Sequence, residues 1–348
     1  MVKVSIGLPV YNGDNYLAYA IESVLNQTLE DWELVICDNA SEDGTQAICE
    51  HYASLDARIK YFRSEKNQGA AWNFNQTFHK SNGQYFRWLC HDDYILADNL
   101  QRCAEILDDN PDYISCATAT GAIDEQGYRI LDDVAGEVDL ACQSLTEQSE
   151  STRLHYSKSD RKSERYLGIL LFSRRCNEIY GLIRRDVFVK TQMHPDYCGG
   201  EKVLLAEIAL RGKIYELDEM LFYVRWHTER FTATESTREQ QEHMATSKPR
   251  TFRLPHQYRA TLGYLGLLRR VELPITEKAR GVVAWLRFVF QFPKWAEILK
   301  NTLLFKSTMA EIEGATKRGI LVHGEPARLQ DFPVHQSEPE MTEKVNQK

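Results

Sequence analysis

The first hundred residues alternate between short apolar runs and longer segments in which apolar residues recur every three or four positions. Short apolar runs bounded by turn residues predict strands, and the longer spacing predicts amphipathic helices. The predicted strands span residues 3–8, 32–37, 59–63 and 85–89, and the helices between them span residues 16–25, 45–54 and 70–80. Strands joined by such helices pair in parallel through right-handed crossovers. We therefore predict an α/β fold with a mostly parallel central sheet flanked by helices.

The pattern continues less regularly through the next part of the chain. It predicts a helix at 96–109, strands at 113–117, 177–183 and 220–227, and a helix at 201–211. Residues 125–164 are polar and weakly periodic, which predicts a long loop.

The character of the sequence changes after residue 230. Residues 259–304 carry a helical pattern rich in basic and aromatic residues, and residues 325–348 are polar and contain three prolines. The composition of the last segment is typical of disorder. We expect a main domain at 1–230, with halves at 1–117 and 118–230, then a helical extension at 231–324 and a disordered tail at 325–348.

Polar clusters follow the first four predicted strands, at residues 11–13, 38–45, 67–69 and 91–93. The carboxyl ends of parallel strands meet at one edge of a sheet, and ligands of such folds bind there. Asn, Asp, Ser and Gly are also the residues that turns and helix caps use. Turn formation could account for any one cluster, but it does not explain why all four fall at the same edge.

Charge and cysteine usage narrow the class of protein. The chain has 42 Lys and Arg against 50 Asp and Glu, a net charge of −8, which argues against a general nucleic-acid binder. Residues 258–320 differ, since eleven Lys and Arg against five Glu give +6. The eight cysteines lie at least twelve positions apart, which excludes C-x-x-C redox and zinc motifs and favours buried free thiols in a reducing compartment.

Targeting signals are not apparent in the sequence. The chain starts with a predicted strand, which leaves no room for a signal peptide. The longest apolar stretch, residues 281–292, has twelve residues and contains Arg287, whereas a membrane-spanning helix needs roughly 20. We therefore expect a cytoplasmic protein without a membrane span.

Adjacent carboxylates at Asp92 and Asp93 follow a buried-strand pattern and offer hard oxygen ligands at the sheet edge. Such ligands suit Mg²⁺ or Mn²⁺ bridged to a diphosphate, although aspartate pairs are also frequent in turns. Asp38, which closes the second strand, could accept hydrogen bonds from a base or ribose. The sequence has neither a G-x-G-x-x-G nor a P-loop motif, so a diphosphate would need a cation and side chains such as Arg225 to balance its charge.

The first 93 residues contain four ordered motifs, LPVYNGDNYLAYAIESVLNQT, LVICDNASEDGT, NQGAAWNFNQ and WLCHDD. These motifs resemble those of the inverting family 2 glycosyltransferases, which have the nucleotide-diphospho-sugar fold called GT-A. The resemblance continues less sharply through NEIYGLIRRDVF, GGEKVLLAEIALRG and LFYVRWH, and so covers about residues 3 to 230. It implies a nucleotide-sugar-binding first half and an acceptor-binding, catalytic second half.

The resemblance also implies roles for residues of the first half. It assigns donor contacts to Pro9, Tyr11, Asp38, Asn67 and Asp92. It assigns the metal ion to Asp93, at the end of a motif that is often D-x-D-D. Here Cys90 occupies the first position of that motif, which leaves the last carboxylate in place but alters the ligand set.

An inverting transfer needs a base that accepts the proton of the attacking hydroxyl. In the family this base is an acidic residue at the start of a helix in the second half, and Glu201 holds that position, where Asp is the commoner residue. The alternative is that Glu201 only stabilises its helix as a first-turn acid, an effect of roughly 0.3–1 kcal/mol. Asp196 or Glu178 could serve as the base instead.

His227 is a candidate ligand of the metal ion or the diphosphate, because strand alternation puts it on the same side as Arg225. A lone histidine is more often a structural group. The basic and aromatic segment 259–306 could contact an anionic membrane surface, where lipid-linked acceptors reside, or it could pack on the main domain or form a homodimer.

These observations predict a metal-dependent, inverting glycosyltransferase that uses Mn²⁺ or Mg²⁺. We expect a UDP-sugar as the donor, a glycan or lipid-linked acceptor, no nucleic-acid partner, and a role in bacterial surface polysaccharide or glycan assembly. One alternative is a sugar nucleotidyltransferase, although the glycine-rich loop that such enzymes carry near the first strand is missing. Another is a non-catalytic nucleotide-sugar or glycan-binding protein, in which Glu201 would be only a helix cap.

Overall fold

The computed structural model describes residues 2–130, 155–173, 176–227, 244 and 256–291. Its strands are β1 (Val4–Val10), β2 (Trp32–Asp38), β3 (Ile59–Arg63), β4 (Tyr85–Trp88), β5 (Tyr94–Ile95), β6 (Tyr113–Ile123), β7 (Arg129–Ile130), β8 (Leu182–Arg184) and β9 (Lys213–Arg225). Its helices are α1 (Leu17–Leu25), α2 (Thr45–Leu55), α3 (Ala70–His79), α4 (Asn99–Asp109), α5 (Lys162–Phe172), α6 (Arg185–Phe188), α7 (Gly200–Arg211), α8 (His256–Arg270) and α9 (Ile275–Val289), with a short 3₁₀ helix at Asn177–Tyr180.

The strands form one sheet in the order β3-β2-β1-β4-β8-β6-β9-β5, with β7 paired to β6. β3, β2, β1 and β4 are all parallel, which confirms the prediction for the first half of the chain. Every residue of β1 and β2 is buried, because helices cover both faces of the sheet. The carboxyl ends of β1 and β2 lie level, with Val10 opposite Asp38.

The second half of the sheet is mixed. β8 pairs antiparallel with both β4 and β6 and so joins the two halves. β6 and β9 are parallel and longer than the predicted strands at 113–117 and 220–227. The pairing of β6 with β9 shifts register around Thr118 and Ala119, which interrupts the alternation of apolar and polar residues. The sequence pattern therefore predicts only part of each strand.

Two other local predictions are wrong in part. Residues 177–180 of the predicted strand 177–183 form the 3₁₀ helix, after Cys176 in a left-handed conformation with φ 55°. A short apolar run does not distinguish a strand from a buried helical turn. The predicted loop 125–164 contains β7 and the start of α5, while its residues 131–154 lie outside the described residues.

The predicted helix 259–304 is two helices, because Pro274 begins a new one after a break at 271–274. The Tyr264 and Phe288 rings lie 5.3 Å apart, and Tyr166 of α5 donates a hydrogen bond to the Tyr264 carbonyl, so this part packs on the main domain. Residues 292–304 and the predicted disordered tail 325–348 lie outside the described residues. In the described part of the chain, no helix is long and apolar enough to cross a membrane.

Polar side chains tie together the loops at the carboxyl edge of the sheet. Asn39 donates to Asn67 Oδ1 at 2.9 Å, and its own Oδ1 accepts from the backbone of Gln68. Asn73 of α3 donates to the carbonyls of Val10, at 3.2 Å, and Cys37, at 2.8 Å. Several of these polar residues therefore stabilise the loops and strand ends at this edge, in addition to lying where a ligand would bind.

We predict that Asn73→Ala destabilises the fold by about 1–3 kcal/mol, because the buried carbonyls of Val10 and Cys37 lose a donor. Urea unfolding followed by circular dichroism measures this change. Gln76→Ala, one turn further along the same helix and only partly buried, is the matched control and should stay within about 0.5 kcal/mol of the original chain. Equal effects of the two substitutions would contradict this role of Asn73.

Candidate active site

An acidic turn lies directly after β4, at the carboxyl edge of the sheet. The Cys90 sulfur and one carboxylate oxygen from each of Asp92 and Asp93 lie within 4.8 Å of one another. Asp93 is buried, whereas Cys90 and Asp92 are partly buried. Two carboxylates and a sulfur at this spacing could together ligate a divalent cation, so the donor set fits the metal that the sequence predicts.

His227, just beyond β9, holds one of these carboxylates. Its Nε2 lies 3.0 Å from Asp92 Oδ2, and its ring lies 4.8 Å from the ring of Tyr16. Burial by itself would raise the pKa of Asp92, but the hydrogen bond from His227 and the positive charges of His91 and His227 lower it to about 2. His227 therefore contacts the acidic turn through Asp92, and its direct contact with a metal ion stays a prediction.

Arg225, the last residue of β9, connects two turns beneath the site. Its guanidinium donates to the carbonyl of Asp92 at 3.1 Å and to the carbonyls of Asp124 and Glu125 at 3.0 and 3.2 Å. Its backbone N–H donates to Asp93 Oδ1 at 3.2 Å. The side chain is 2% exposed, and burial lowers its pKa. These contacts make Arg225 a positioning residue for the acidic turn, and its predicted contact with a donor stays a prediction.

A cleft of about 560 Å³ lies beside the ends of β2 and β3, a size that suits a small-molecule ligand. Asp38 lies at its wall, with Oδ2 accepting from Tyr61 at 2.8 Å and from Arg63 at 3.0 Å. Oδ1 of Asp38 accepts from the backbone of Ser41 at 2.8 Å. Asp38 therefore has a fixed orientation in this cleft before any ligand binds.

Several other residues line the same cleft, and the sequence analysis assigned none of them individually to a binding site. They are Tyr61, Phe62, Arg63, Ser64, Glu65, Lys66, Gln68, Trp72, Asn73, Gln76 and Lys80. Arg63, at the end of β3, is the one that the strand pattern could have indicated, since it closes a parallel strand at the ligand edge.

The remaining predicted donor residues lie around the end of β1. Pro9 is buried in β1 opposite Cys37, and Tyr11 follows the strand and is partly buried. Asn67 Oδ1 accepts hydrogen bonds from Asn39 and from the backbone of Gly69, so its side chain stabilises the turn before α3.

Glu201 is the second residue of α7 and is partly buried. The partly buried Tyr180 ends the 3₁₀ helix, which packs on α7, and its hydroxyl lies 3.6 Å from the Cys90 sulfur in the acidic turn. Burial raises the pKa of Tyr180 well above its ordinary value, and the negative charges of Cys90, Asp93 and Glu201 raise it further. Asp93 and Glu201 therefore both lie within electrostatic range of Tyr180. The sequence reasoning did not single out Tyr180, because nothing in its apolar surroundings signals the contact.

Of the alternative bases, Asp196 pairs with Arg259 of α8 at 2.7 Å. Glu178 lies in the 3₁₀ helix. Asp196 and Glu178 therefore stay alternative candidates for the base.

A parallel β3-β2-β1-β4 half-sheet that carries an acidic turn at its carboxyl edge is the arrangement of a GT-A protein. Residues 5–176 match the family model described as Glycosyl transferase family 2. Residues 5–176 therefore carry a domain of the family 2 glycosyltransferases.

Two curated relatives come from Bacillus subtilis. The putative glycosyltransferase EpsE is 34% identical over 128 residues, which cover 36% of this chain and 46% of EpsE. The putative teichuronic acid biosynthesis glycosyltransferase TuaG is 36% identical over 104 residues, which cover 30% of this chain and 41% of TuaG. The chain thus matches less than half the length of each relative.

Two solved structures share the fold. TarS 1-349 from S. aureus, in complex with UDP-GlcNAc, has a TM-score of 0.55 at 16% identity, covering 83% of this chain and 73% of TarS. The mannosyltransferase PcManGT from Pyrobaculum calidifontis, in complex with GDP-Man and Mn²⁺, has a TM-score of 0.55 at 13% identity, covering 92% of this chain and 81% of PcManGT. These likenesses confirm the predicted GT-A fold.

We predict that Arg225→Met lowers the free energy of unfolding by at least about 2 kcal/mol, since each buried carbonyl left without a donor costs about 1–3 kcal/mol. Urea unfolding measures the change. Arg129→Met is the matched control: Arg129 is exposed and lies over the Tyr223 ring at 5.1 Å, a contact worth about 0.5–1 kcal/mol. A variant at position 225 as stable as the one at 129 would contradict the positioning role.

Proposed function

We propose that this glycosyltransferase moves a sugar from a nucleotide-diphosphate donor to a hydroxyl group, with inversion at the anomeric carbon. The observation that carries the proposal is the position of the 3₁₀ helix Asn177–Tyr180. It packs on α7, whose first turn carries Glu201, and it meets the acidic turn where the Tyr180 hydroxyl lies 3.6 Å from the Cys90 sulfur. An inverting transfer needs a diphosphate site and a separate base on the opposite side of the sugar, and this arrangement supplies a candidate for each.

The acidic turn is our proposed cation and diphosphate site. Asp93, with Asp92 and Cys90 beside it, would hold Mn²⁺ or Mg²⁺, and His227 and Arg225 keep the two carboxylates in position. When bound, the cation supplies positive charge that offsets the negative charge growing on the leaving diphosphate. PcManGT, whose solved complex contains GDP-Man and Mn²⁺, supports a divalent cation in this fold.

Glu201 is our proposed base. As the acceptor oxygen bonds to the anomeric carbon, the bond between that carbon and the diphosphate oxygen breaks, and Glu201 takes the proton of the acceptor hydroxyl. Glu201 lies in the first turn of α7 and is partly buried, so a helix positions its backbone while the residue keeps access to solvent.

The cleft beside Asp38 is our proposed site for the nucleoside. Its size and its mixture of amide, basic and aromatic side chains suit a base and ribose. TarS with UDP-GlcNAc and PcManGT with GDP-Man support a nucleotide-sugar donor, and we propose a UDP-sugar first. The name of TuaG, which refers to teichuronic acid biosynthesis, supports a role in bacterial surface polysaccharide assembly.

We predict that Glu201→Gln lowers sugar transfer by about 10²–10⁴-fold while donor binding is unchanged, because only the proton acceptor is lost. Transfer is measured as release of nucleoside diphosphate from UDP- and GDP-sugars with a mixture of glycan acceptors. Donor binding is measured as the thermal shift with Mn²⁺, since a ligand stabilises the folded state by RT ln(1 + [L]/Kd).

Asp196→Asn is the matched control for this prediction, because Asp196 is a neighbouring acid that pairs with Arg259. It should keep turnover near that of the original chain. Unchanged turnover in Glu201→Gln would remove Glu201 as the base. If the original chain binds a donor but transfers no sugar, this would favour a non-catalytic sugar-nucleotide-binding protein. If the original chain releases pyrophosphate from a nucleoside triphosphate, this would favour a nucleotidyltransferase.

We also propose that segment 259–306 contacts the anionic inner face of a membrane. This contact would bring the site close to lipid-linked acceptors. An exposed apolar stripe runs along α9 from Ile275, 81% exposed, through Val282 and Leu286 to Phe290, which directly follows the helix and is 59% exposed. Residues 256–291 contain six Lys and Arg against two Glu, a charge of +4 in a chain of −8. Apolar exposure combined with positive charge is typical of helices that lie on anionic lipid. Residues 292–306 of this segment lie outside the described residues.

We predict that the full chain co-sediments with anionic vesicles at low salt but not with neutral ones, and that Leu286→Ser combined with Phe290→Ser abolishes this binding. Leu55→Ser, at an exposed leucine of α2, is the matched control and should leave binding intact. Absence of co-sedimentation at low salt would contradict membrane contact. A dimer that the double variant disrupts would instead favour a second copy of the chain on this face.

A further inference from the structure

Cys90 brings a sulfur atom into the acidic turn. It follows β4 by two residues, at the position where the related D-x-D-D motif has a carboxylate. The other described cysteines, Cys37, Cys49, Cys103, Cys116, Cys176 and Cys198, are buried, whereas Cys90 is partly exposed. Its sulfur is thus the described thiol that lies at the surface of the site.

The groups around the sulfur are held in place by the fold. The Tyr180 hydroxyl lies 3.6 Å from the Cys90 sulfur, His227 holds Asp92 through Oδ2, and the Arg225 backbone holds Asp93 through Oδ1. Ligands whose orientation is already set by outer hydrogen bonds bind a metal ion with little reorganisation. The sulfur and the two carboxylates therefore present one preformed set of ligand atoms within 4.8 Å.

We infer that Cys90 is a direct sulfur ligand of the divalent cation, and that the site therefore prefers sulfur-tolerant cations such as Co²⁺, Zn²⁺ or Cd²⁺ over Mg²⁺. The inference rests on the cation site of the proposed function. Mg²⁺ favours an all-oxygen octahedral shell and loses water reluctantly, whereas thiolate suits the softer divalent ions. Sulfur binds the metal as the thiolate, so coordination releases the thiol proton to solvent. The two carboxylates keep the site compatible with Mn²⁺.

The test uses the full chain without nucleotide and follows metal binding by absorption. Titration with Co²⁺ or Cd²⁺ should produce a sulfur-to-metal charge-transfer band that saturates at one equivalent. Cys90→Ser should lose this band, and the matched control Cys198→Ser, which removes a buried thiol from the segment before α7, should keep it. The thermal unfolding temperature of each variant shows whether it is folded.

A second variant tests the preference itself. Cys90→Asp restores the carboxylate of the related motif, and we expect it to bind Mg²⁺ more tightly and Cd²⁺ more weakly, each by at least about tenfold, the lower range seen for changes around metal ligands. Calorimetric titration with each metal alone measures both affinities.

The outcomes separate this inference from the proposed function. Metal binding without a sulfur band, or a band that persists in Cys90→Ser, would overturn the sulfur ligand and leave the glycosyltransferase proposal standing. An original chain that binds no divalent cation with or without donor would contradict the cation site as well. Transfer activity in the presence of Mn²⁺ without a sulfur band would support the proposed function alone.

Discussion

The buried guanidinium of Arg225 is the interaction on which the arrangement of the site depends. It binds carbonyls in the turn after β4 and in the turn after β6, and its own backbone N–H binds Asp93. Burying a cation is unfavourable unless its donors are satisfied, so the loops must keep the conformation that satisfies them. The ends of three strands are thereby held in one arrangement, and the acidic turn has a defined shape before any ligand binds.

The same principle extends across the carboxyl edge of the sheet. The amides of Asn39 and Asn67 join neighbouring loops, and the amide of Asn73 joins α3 to the ends of β1 and β2. Asp38 already accepts three hydrogen bonds from the protein itself. Many of the polar side chains at this edge therefore hold the loops and strand ends in position. A preorganised polar framework lowers the cost of orienting a ligand and of stabilising charge that develops during a reaction.

The fold was most predictable where local pattern and tertiary environment agree. The first three strands and three helices match their predicted spans closely, because completely buried parallel strands and amphipathic crossover helices leave strong periodic signals. Prediction was weaker where the environment overrides the pattern. Register shifts between β6 and β9 hide about half of each strand from the pattern, and the run at 177–183 divides at Gly181 into a 3₁₀ helix and β8. α5 begins with four polar residues and continues with a mostly apolar run, so it shows no helical alternation of polar and apolar positions.

The sequence by itself determined the order of elements, the edge at which polar residues collect, and the family, because those properties depend on short-range spacing and on motifs within single loops. The tertiary structure alone decided the contacts of the site. His227 meets Asp92 across 135 positions and Arg225 meets Asp93 across 132, while Tyr180 reaches Cys90 across 90. Such contacts follow from how the strands pair and where each loop packs, and no periodicity along the chain encodes them.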